Sequence, residues 1–524
     1  MPAAPEQEPL LREQHEAIIH TPNATRETHT VDSKVEPVVL IVIMFGVFLS
    51  MACESFVATT HEEIASFFNN LWMGPWLLTA YGMGYSMMLP LYGNLTEKYG
   101  CKKLLLLAYA TFSVGCVMTG CALSMPVAIV GRFVTGTGGA GMMDLVSILL
   151  NKMTSASEVG LLRGYVSLGI TLGVSCGPPL GGVLTDAVGW RWSFLCLVPA
   201  GILCAAVTAK RLPSDSPRRA PTSRDAQPGR QSRFDWWGYI FLFIAIGCLM
   251  FALHMVGEMR PQNVPLVISL LVICLLSGFT CIIVELRTKK SPIVPLRLML
   301  KDGIGLICAG QILLVFCQFG LISNFANFVI RTQNVQNSIV GILSGFRALG
   351  AGIGALGFGY LLKWSKKCNA LTNYALSGLI ISCSLITARW RTGVHGWEVT
   401  YIFLAAVGIS ALYSTQFVAL SVRLRESSAS IVTTYHLCQQ IGAILGTACT
   451  AGFFRIVFRN RLVHHLGNSV TAHEVIDKVL ENNRYGASLP REAQMRIRTS
   501  FLESFPIVTI MLPLMLTLEN IPVT

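Results

Sequence analysis

Gly169-Ile170-Thr171-Leu172-Gly173-Val174-Ser175-Cys176-Gly177-Pro178-Pro179-Leu180-Gly181-Gly182 lies within an uncharged stretch bounded by Arg163 and Asp186. Glycines four apart share one helix face and leave it bare of side chains, so a neighbouring backbone can approach closely. Pro178 removes a backbone hydrogen bond and bends the helix. A run over 162–185 is long enough to cross a bilayer.

The rest of the chain repeats that apolar character. Of 524 residues, 52% are hydrophobic and 13% charged, about half the charge of an ordinary soluble protein. The apolar residues come in long blocks rather than alternating patterns, which excludes a soluble enzyme and a membrane β-barrel. Spans are expected near 36–58, 72–92, 104–123, 126–150, 162–185, 193–210, 236–256, 263–284, 303–328, 338–362, 372–389, 399–420 and 430–457. A further apolar run at 501–520 brings the total to thirteen or fourteen. The fold class is therefore an all-α polytopic membrane protein.

Lysine and arginine in alternate short loops set the orientation. One set holds Lys98, Lys102, Lys103, Arg287, Lys289, Lys290, Lys363, Lys366 and Lys367, with seven more between 210 and 233. The opposite short loops offer Arg191, Arg260, Arg331, Arg389 and Arg391. The richer side is cytosolic, and the N-terminus lies on it. The net charge of +12 is thereby a topology signal, and no nucleic-acid partner is called for. The sixteen cysteines form no CxxC pair and sit mostly within apolar blocks, so neither a disulfide framework nor a metal site is expected.

Residues 1–35 are polar, read as a disordered cytosolic N-terminus with no cleavable leader. A bundle over 36–210 precedes a linker at 211–235, whose Ser, Pro, Arg and Asp cannot bury enough surface to fold. Two helices at 236–284 lead to a second bundle over 303–524. There a polar excursion at 458–500 carries Thr471 and Glu474 in capping-box spacing. Val475, Ile476, Val479 and Leu480 follow at helical spacing, so an amphipathic helix is expected. The last run, Ile507 to Leu518, contains Pro513 and is short for a span, leaving a half-buried helix or a shortened end as alternatives.

Four motifs carry function. The pattern GxxxGxxxGPxxGG (Gly169, Gly173, Gly177, Pro178, Gly181, Gly182) closely resembles the antiporter motif of major facilitator proton-coupled exporters. Gly93-Asn94-Leu95-Thr96-Glu97-Lys98-Tyr99-Gly100-Cys101-Lys102-Lys103 resembles that superfamily's cytosolic signature, and Gly359-Tyr360-Leu361-Leu362-Lys363 is a weaker echo in the second half. Gly131-Arg132-Phe133-Val134-Thr135-Gly136-Thr137-Gly138-Gly139-Ala140-Gly141 resembles the family's arginine motif; with no preceding strand it is no phosphate loop. Glu54 to His61, with Ile64-Ala65-Ser66, resembles the first-span motif of the fourteen-helix drug:proton antiporter branch.

The resemblance implies a major facilitator fold of two pseudo-symmetric six-helix bundles that rock around a central cavity, joined by two extra linking helices. The chain is particularly similar to the fungal group that includes toxin exporters and vacuolar basic amino-acid transporters. It also departs from the pattern. Cys53 stands where the family has an acid, with Glu54 one step later; Cys101 replaces the signature arginine, and Asn151 the aspartate ending span four. The loss of both latch charges leaves Glu97, Lys102 and Lys103 to hold the inner gate.

Ionisable residues within spans are costly, by about 2.5–3.5 kcal/mol each on insertion scales, and read first as functional. Glu54, Arg132 and Asp144 are the candidates in the first half. Asp144 is the foremost proton carrier, the alternative being a static ion pair, for which Arg347 is the obvious partner. Arg132 either snorkels to the surface or serves as a pocket or relay charge. Gln318, His436, Gln439 and Gln440 add polar groups, and the last three share one helix face.

The expected activity is non-enzymatic: proton-coupled antiport of a small drug, toxin or metabolite from the cytosol, with no cofactor. The alternatives are vacuolar uptake of basic amino acids and a non-transporting nutrient receptor on the same scaffold. Glu6-Gln7-Glu8-Pro9-Leu10-Leu11 fits an acidic dileucine address, leaving vacuole and plasma membrane open. The implied partners are the small-molecule substrate, protons and the lipid bilayer.

Overall fold

A computed structural model describes residues 37–505 except 71–72, 154–155, 214–234, 259–263, 288–298, 300–302, 334–336, 366–367, 391–395, 424–428, 468–469 and 482–488. The N-terminal 1–35, most of the 211–235 linker and the run after Phe505 lie outside the described residues. The described chain is helical, as lipid requires: a spanning backbone must satisfy its polar groups within its own segment.

Seven helices form the first half: α1 (Pro37–Phe67), α2 (Trp76–Tyr99), α3 (Cys101–Gly120), α4 (Met125–Met153), α5 (Ala156–Val188), α6 (Trp190–Leu195) and α7 (Leu197–Arg211). The span expected at 193–210 lies within one apolar segment, Trp190–Arg211, which a turn at Cys196 divides into α6 and α7. Pro199 is the cause, because it has no N–H for the carbonyl of Leu195. Two linking helices follow, α8 (Trp236–Glu258) and α9 (Val264–Arg287). The second half comprises α10 (Ile304–Gln333), α11 (Asn337–Ser365), α12 (Cys368–Arg389), α13 (Val399–Arg423), α14 (Ala429–Leu466), α15 (Val470–Glu481) and α16 (Arg491–Ser504).

Among the described residues, twelve helical segments are long and apolar enough to cross a membrane. The expected span over 72–92 is not one of them, although α2 has the length. Its tyrosines and glycines lower its hydropathy, and the helix lies inside, with Tyr81, Tyr85 and Tyr92 buried. Within the first half α3 packs on α4, α1 on α5 and α2 on α4; within the second, α10 packs on α14 and α13 on both α11 and α12. The halves meet along α5–α11 and α2–α14. Helix α8 touches both, through Ile246 and Met250 packed against Met87 of α2 and Leu437 of α14.

The 458–500 region differs from its expected form. Helix α14 continues to Leu466, so the polar excursion begins as an extension of a span. The amphipathic helix exists as α15, with Ile476 and Val479 buried. Thr471, however, lies inside it, and Glu474 pairs forward with Lys478 at 3.0 Å. Helix α16 was not expected. Its Phe501 packs edge-on against Phe458, and the following Phe505 lies 4.0 Å from the ring of Phe328. Glu503 ties it to Arg461 and His465 of α14, each at 3.3 Å.

Candidate functional site

The glycine face of α5 packs on α1. A β-carbon at Gly173 would stand 2.7 Å from the Phe48 carbonyl oxygen and one at Gly181 2.6 Å from the Phe56 ring. At Gly177 it would collide with the Ser55 hydroxyl, which itself donates to the Gly173 carbonyl at 3.2 Å. Gly169 is looser, 3.4 Å from the Met44 carbonyl, and Gly182 faces open space. The helix continues through Pro178 and Pro179. The motif is thus a seam within the first half, and its last glycine is outside the seam.

Arg132 does not snorkel. It is fully buried in the first half, with Nε donating to the Leu77 carbonyl at 3.3 Å and a terminal nitrogen to Cys53 Sγ at 3.3 Å. Its guanidinium lies 4.6 Å from the centre of the Tyr81 ring and 5.8 Å from that of Phe194. The other terminal nitrogen has no hydrogen-bond partner among the described residues. Aromatic faces and a carbonyl offset part of the desolvation of a buried cation. Cys53, at the position where the resembled motif carries an acid, thus meets the cation with its sulfur. Half-buried Glu54, next along α1, lies within electrostatic range of Arg132 and Tyr81. Tyr81 is held by Ser50 at 3.0 Å.

Asp144 is fully buried on α4 and does not pair with Arg347. Its Oδ2 accepts a hydrogen bond at 3.0 Å from the Thr433 hydroxyl, across the boundary between the halves. Thr433 also sits against Gly93 of α2, where any β-carbon would collide with it. The halves therefore touch backbone to side chain at the end of the bundle that carries the 93–103 turn. Gly164 of α5 makes the second close approach, 2.8 Å from a β-carbon position to the Ala355 carbonyl of α11.

The turn itself is made by Gly100, whose φ of +82° suits glycine and which separates α2 from α3 by one residue. Lys102 Nζ donates to the Leu212 carbonyl at 2.6 Å, closing the end of α7, and Lys103 is exposed. The side chain of Glu97 is outside the described residues. Of the residues expected to hold the gate, Lys102 thus braces the first half, and among the described residues Gly93, Asp144 and Thr433 make a contact across the halves.

In the second half His436 is buried, and its Nδ1 donates to Gln439 Oε1 at 2.8 Å within α14. Gln440 is half-buried beside it. Tyr435 donates to Gln311 Oε1 at 2.7 Å, and Tyr413 donates to Gln318 Oε1. Gln318 and Arg347 line one small cavity between α10, α11 and α13.

The arrangement is a two-half helical membrane protein with polar groups buried near the seam, and one model decides its family. Residues 43–447 match the model of the Major Facilitator Superfamily. The chain belongs to this superfamily. As a major facilitator transporter it is no enzyme, and it is similar along most of its length to curated fungal proteins. It is 26% identical over 474 residues to the multidrug resistance protein fnx1 of Schizosaccharomyces pombe, covering 89% of this chain and 88% of that protein. It is 27% identical over 491 residues to the vacuolar membrane amino acid uptake transporter fnx2 of the same yeast, covering 91% and 82%. Among solved structures it shares a fold with the proton:xylose symporter XylE, at a TM-score of 0.54 and 13% identity over 92% of this chain and 95% of that one.

Thr433, Tyr81 and Tyr413 were not singled out from the sequence, and Ser55 was read only as part of the first-span motif. Threonine, tyrosine and serine are ordinary in spans, and nothing in their neighbours along the chain signals the partner each meets from another helix.

Proposed function

We propose that the chain is a proton-coupled antiporter that moves a small organic molecule out of the cytosol by alternating access. The observation that carries this reading is the Thr433–Asp144 hydrogen bond across the halves. Two halves that rock must break it whenever the 93–103 end opens. The lysine-rich loops favour a cytosolic position for that end, which makes the described state closed toward the cytosol.

The sign of coupling follows. A charged Asp144 accepts a strong bond from Thr433, five residues into α14, near the positive end of that helix. Protonation weakens the latch, so a proton entering from the far side favours opening toward the cytosol, where substrate binds. Glu54, beside Arg132, is the second titratable group on that route. The protein then returns, substrate loaded, as Asp144 loses its proton. A proton gradient directed inward thus drives substrate outward.

A second reading, uptake of amino acids, basic ones foremost, into the vacuole, is favoured by the similarity to fnx2. It uses the same cycle, since vacuolar lumen and cell exterior are both acidic. The dileucine segment at Leu10 and Leu11 lies outside the described residues; its alanine variant would relocate a vacuolar protein.

The test is gradient-driven uptake into inverted vesicles with arginine, lysine, toxins and dyes. Asp144→Asn keeps an acceptor for Thr433 but cannot titrate. It is expected to lose gradient-driven flux at least tenfold while substrate counterflow persists. Undiminished gradient-driven flux in that variant would refute the assignment.

A further inference from the structure

The cavity between α10, α11 and α13 has a chemistry that neither the superfamily match nor the cycle above assigns. Among the described residues it is lined by Gln318, Arg347 and Ser410 together with apolar side chains such as Leu321, Ile402 and Ile409, and by no acid. Arg347 makes no hydrogen bond or ion pair with any described residue, in contrast to Arg132. Tyr413 donates to Gln318 Oε1, and the amide nitrogen of Gln318 brings two N–H donors. Ser410 adds a hydroxyl. Each of these three polar groups can therefore donate to an occupant, and one of them is cationic.

We infer that this cavity is an anion subsite, in which Arg347 receives the carboxylate of a small organic substrate and Gln318 and Ser410 donate beside it. A guanidinium presents paired N–H groups that match a carboxylate, and a buried charge is tolerated when paired and hydrogen-bonded. One cation balances one negative charge; a phosphate dianion would leave charge stranded among Leu321, Ile402 and Ile409. The cavity measures about 20 Å³, where one water takes about 10–15 Å³ on the same measure. It has room for an acid head, and that end of the substrate is the part assigned to it. The substrates so defined are amino acids and acidic metabolites rather than purely cationic drugs.

The identity of the occupant as substrate rests on the transport reading above, but its binding requires neither a gradient nor turnover. The test is therefore equilibrium binding to the full chain in nanodiscs, with arginine against agmatine, tyrosine against tyramine, and benzoate against benzyl alcohol. The acid member is expected to bind about ten- to a hundredfold tighter, the range of a charge-assisted hydrogen-bonded contact. Arg347→Gln should reduce that preference to within about twofold, and Arg347→Lys should keep part of it. Gln318→Glu, which supplies the site with its own carboxylate, should remove the preference independently of any folding defect in Arg347→Gln.

Equal binding of both members, no binding of any acid, or a preference that survives Arg347→Gln or Gln318→Glu overturns the proposal. Acid-selective binding without gradient-driven flux would instead refute the antiport reading and leave this subsite standing.

Discussion

Thr433 and Asp144 stand 289 positions apart in the chain and 3.0 Å apart in space, hydroxyl to carboxylate. Asp144 is part of the first half and Thr433 of the second, and Gly93 provides the room in which they meet. Removing the hydroxyl with Thr433→Val should cost about 1–3 kcal/mol, the usual penalty for stripping a donor from a buried charged acceptor. Hydrogen exchange of 93–100 and 430–437 should rise in that variant and return to wild type in Thr433→Ser.

Gly93 and Thr433 should be energetically coupled. Gly93→Ala alone drives a methyl into the threonine and is expected to destabilise by about 1–3 kcal/mol. Combined with Thr433→Ala, part of that loss should return, giving an interaction energy above about 0.5 kcal/mol. Thermal unfolding of the four members of the cycle in nanodiscs measures it; strict additivity would mean the two do not touch.

The antiporter-like motif should divide into packed and unpacked glycines. Gly177→Ala collides with Ser55 and should lower stability by about 1–3 kcal/mol. Gly182→Ala meets nothing and should be neutral or stabilising by up to about 1 kcal/mol, the gain of alanine over glycine in a helix. The two melting temperatures decide it.

Cys53→Asp would set a carboxylate against a cation that the protein already buries, at the position where Arg132 now meets sulfur at 3.3 Å. Glu54→Gln should reduce gradient-driven flux at least tenfold, and the double variant Glu54→Gln with Cys53→Asp should recover most of it. Vesicle flux measures both; a double variant no better than Glu54→Gln alone removes Arg132 and its carboxylate from the proton route.

Phe501 should behave as a core residue although it lies beyond the last described span. Truncation to alanine is expected to cost about 3–5 kcal/mol, because the ring is buried against Phe458 and Phe454. Unfolding of the purified variant tests it.

The spans were legible because lipid imposes length and hydropathy on each segment separately, so no knowledge of neighbours is needed. Helix α2 shows the same rule from the other side. Its tyrosines blur the signal because it faces protein. The motifs named the family for a similar reason, since Gly173, Gly177 and Gly100 answer local demands of close approach and turn. What could not be read was partnership. Arg132 looked equally suited to snorkelling because its burial depends on Tyr81 and Phe194, from two other helices. Asp144 was matched with Arg347 on charge alone, whereas the fold brings the Thr433 hydroxyl to it from the other half. Helix α16 was missed because its apolar residues are scattered among arginines and glutamates, and only α14 and α10 make them a face.

The contact of α8 with Met87 and Leu437 places one slender bridge astride both halves. Unbranched thioether chains such as Met83, Met87 and Met250 can reshape without opening voids. If the halves rock as proposed, these side chains let the joint slip like a greased bearing, so that the added pair of helices stays put in the lipid while the bodies on either side swing past it.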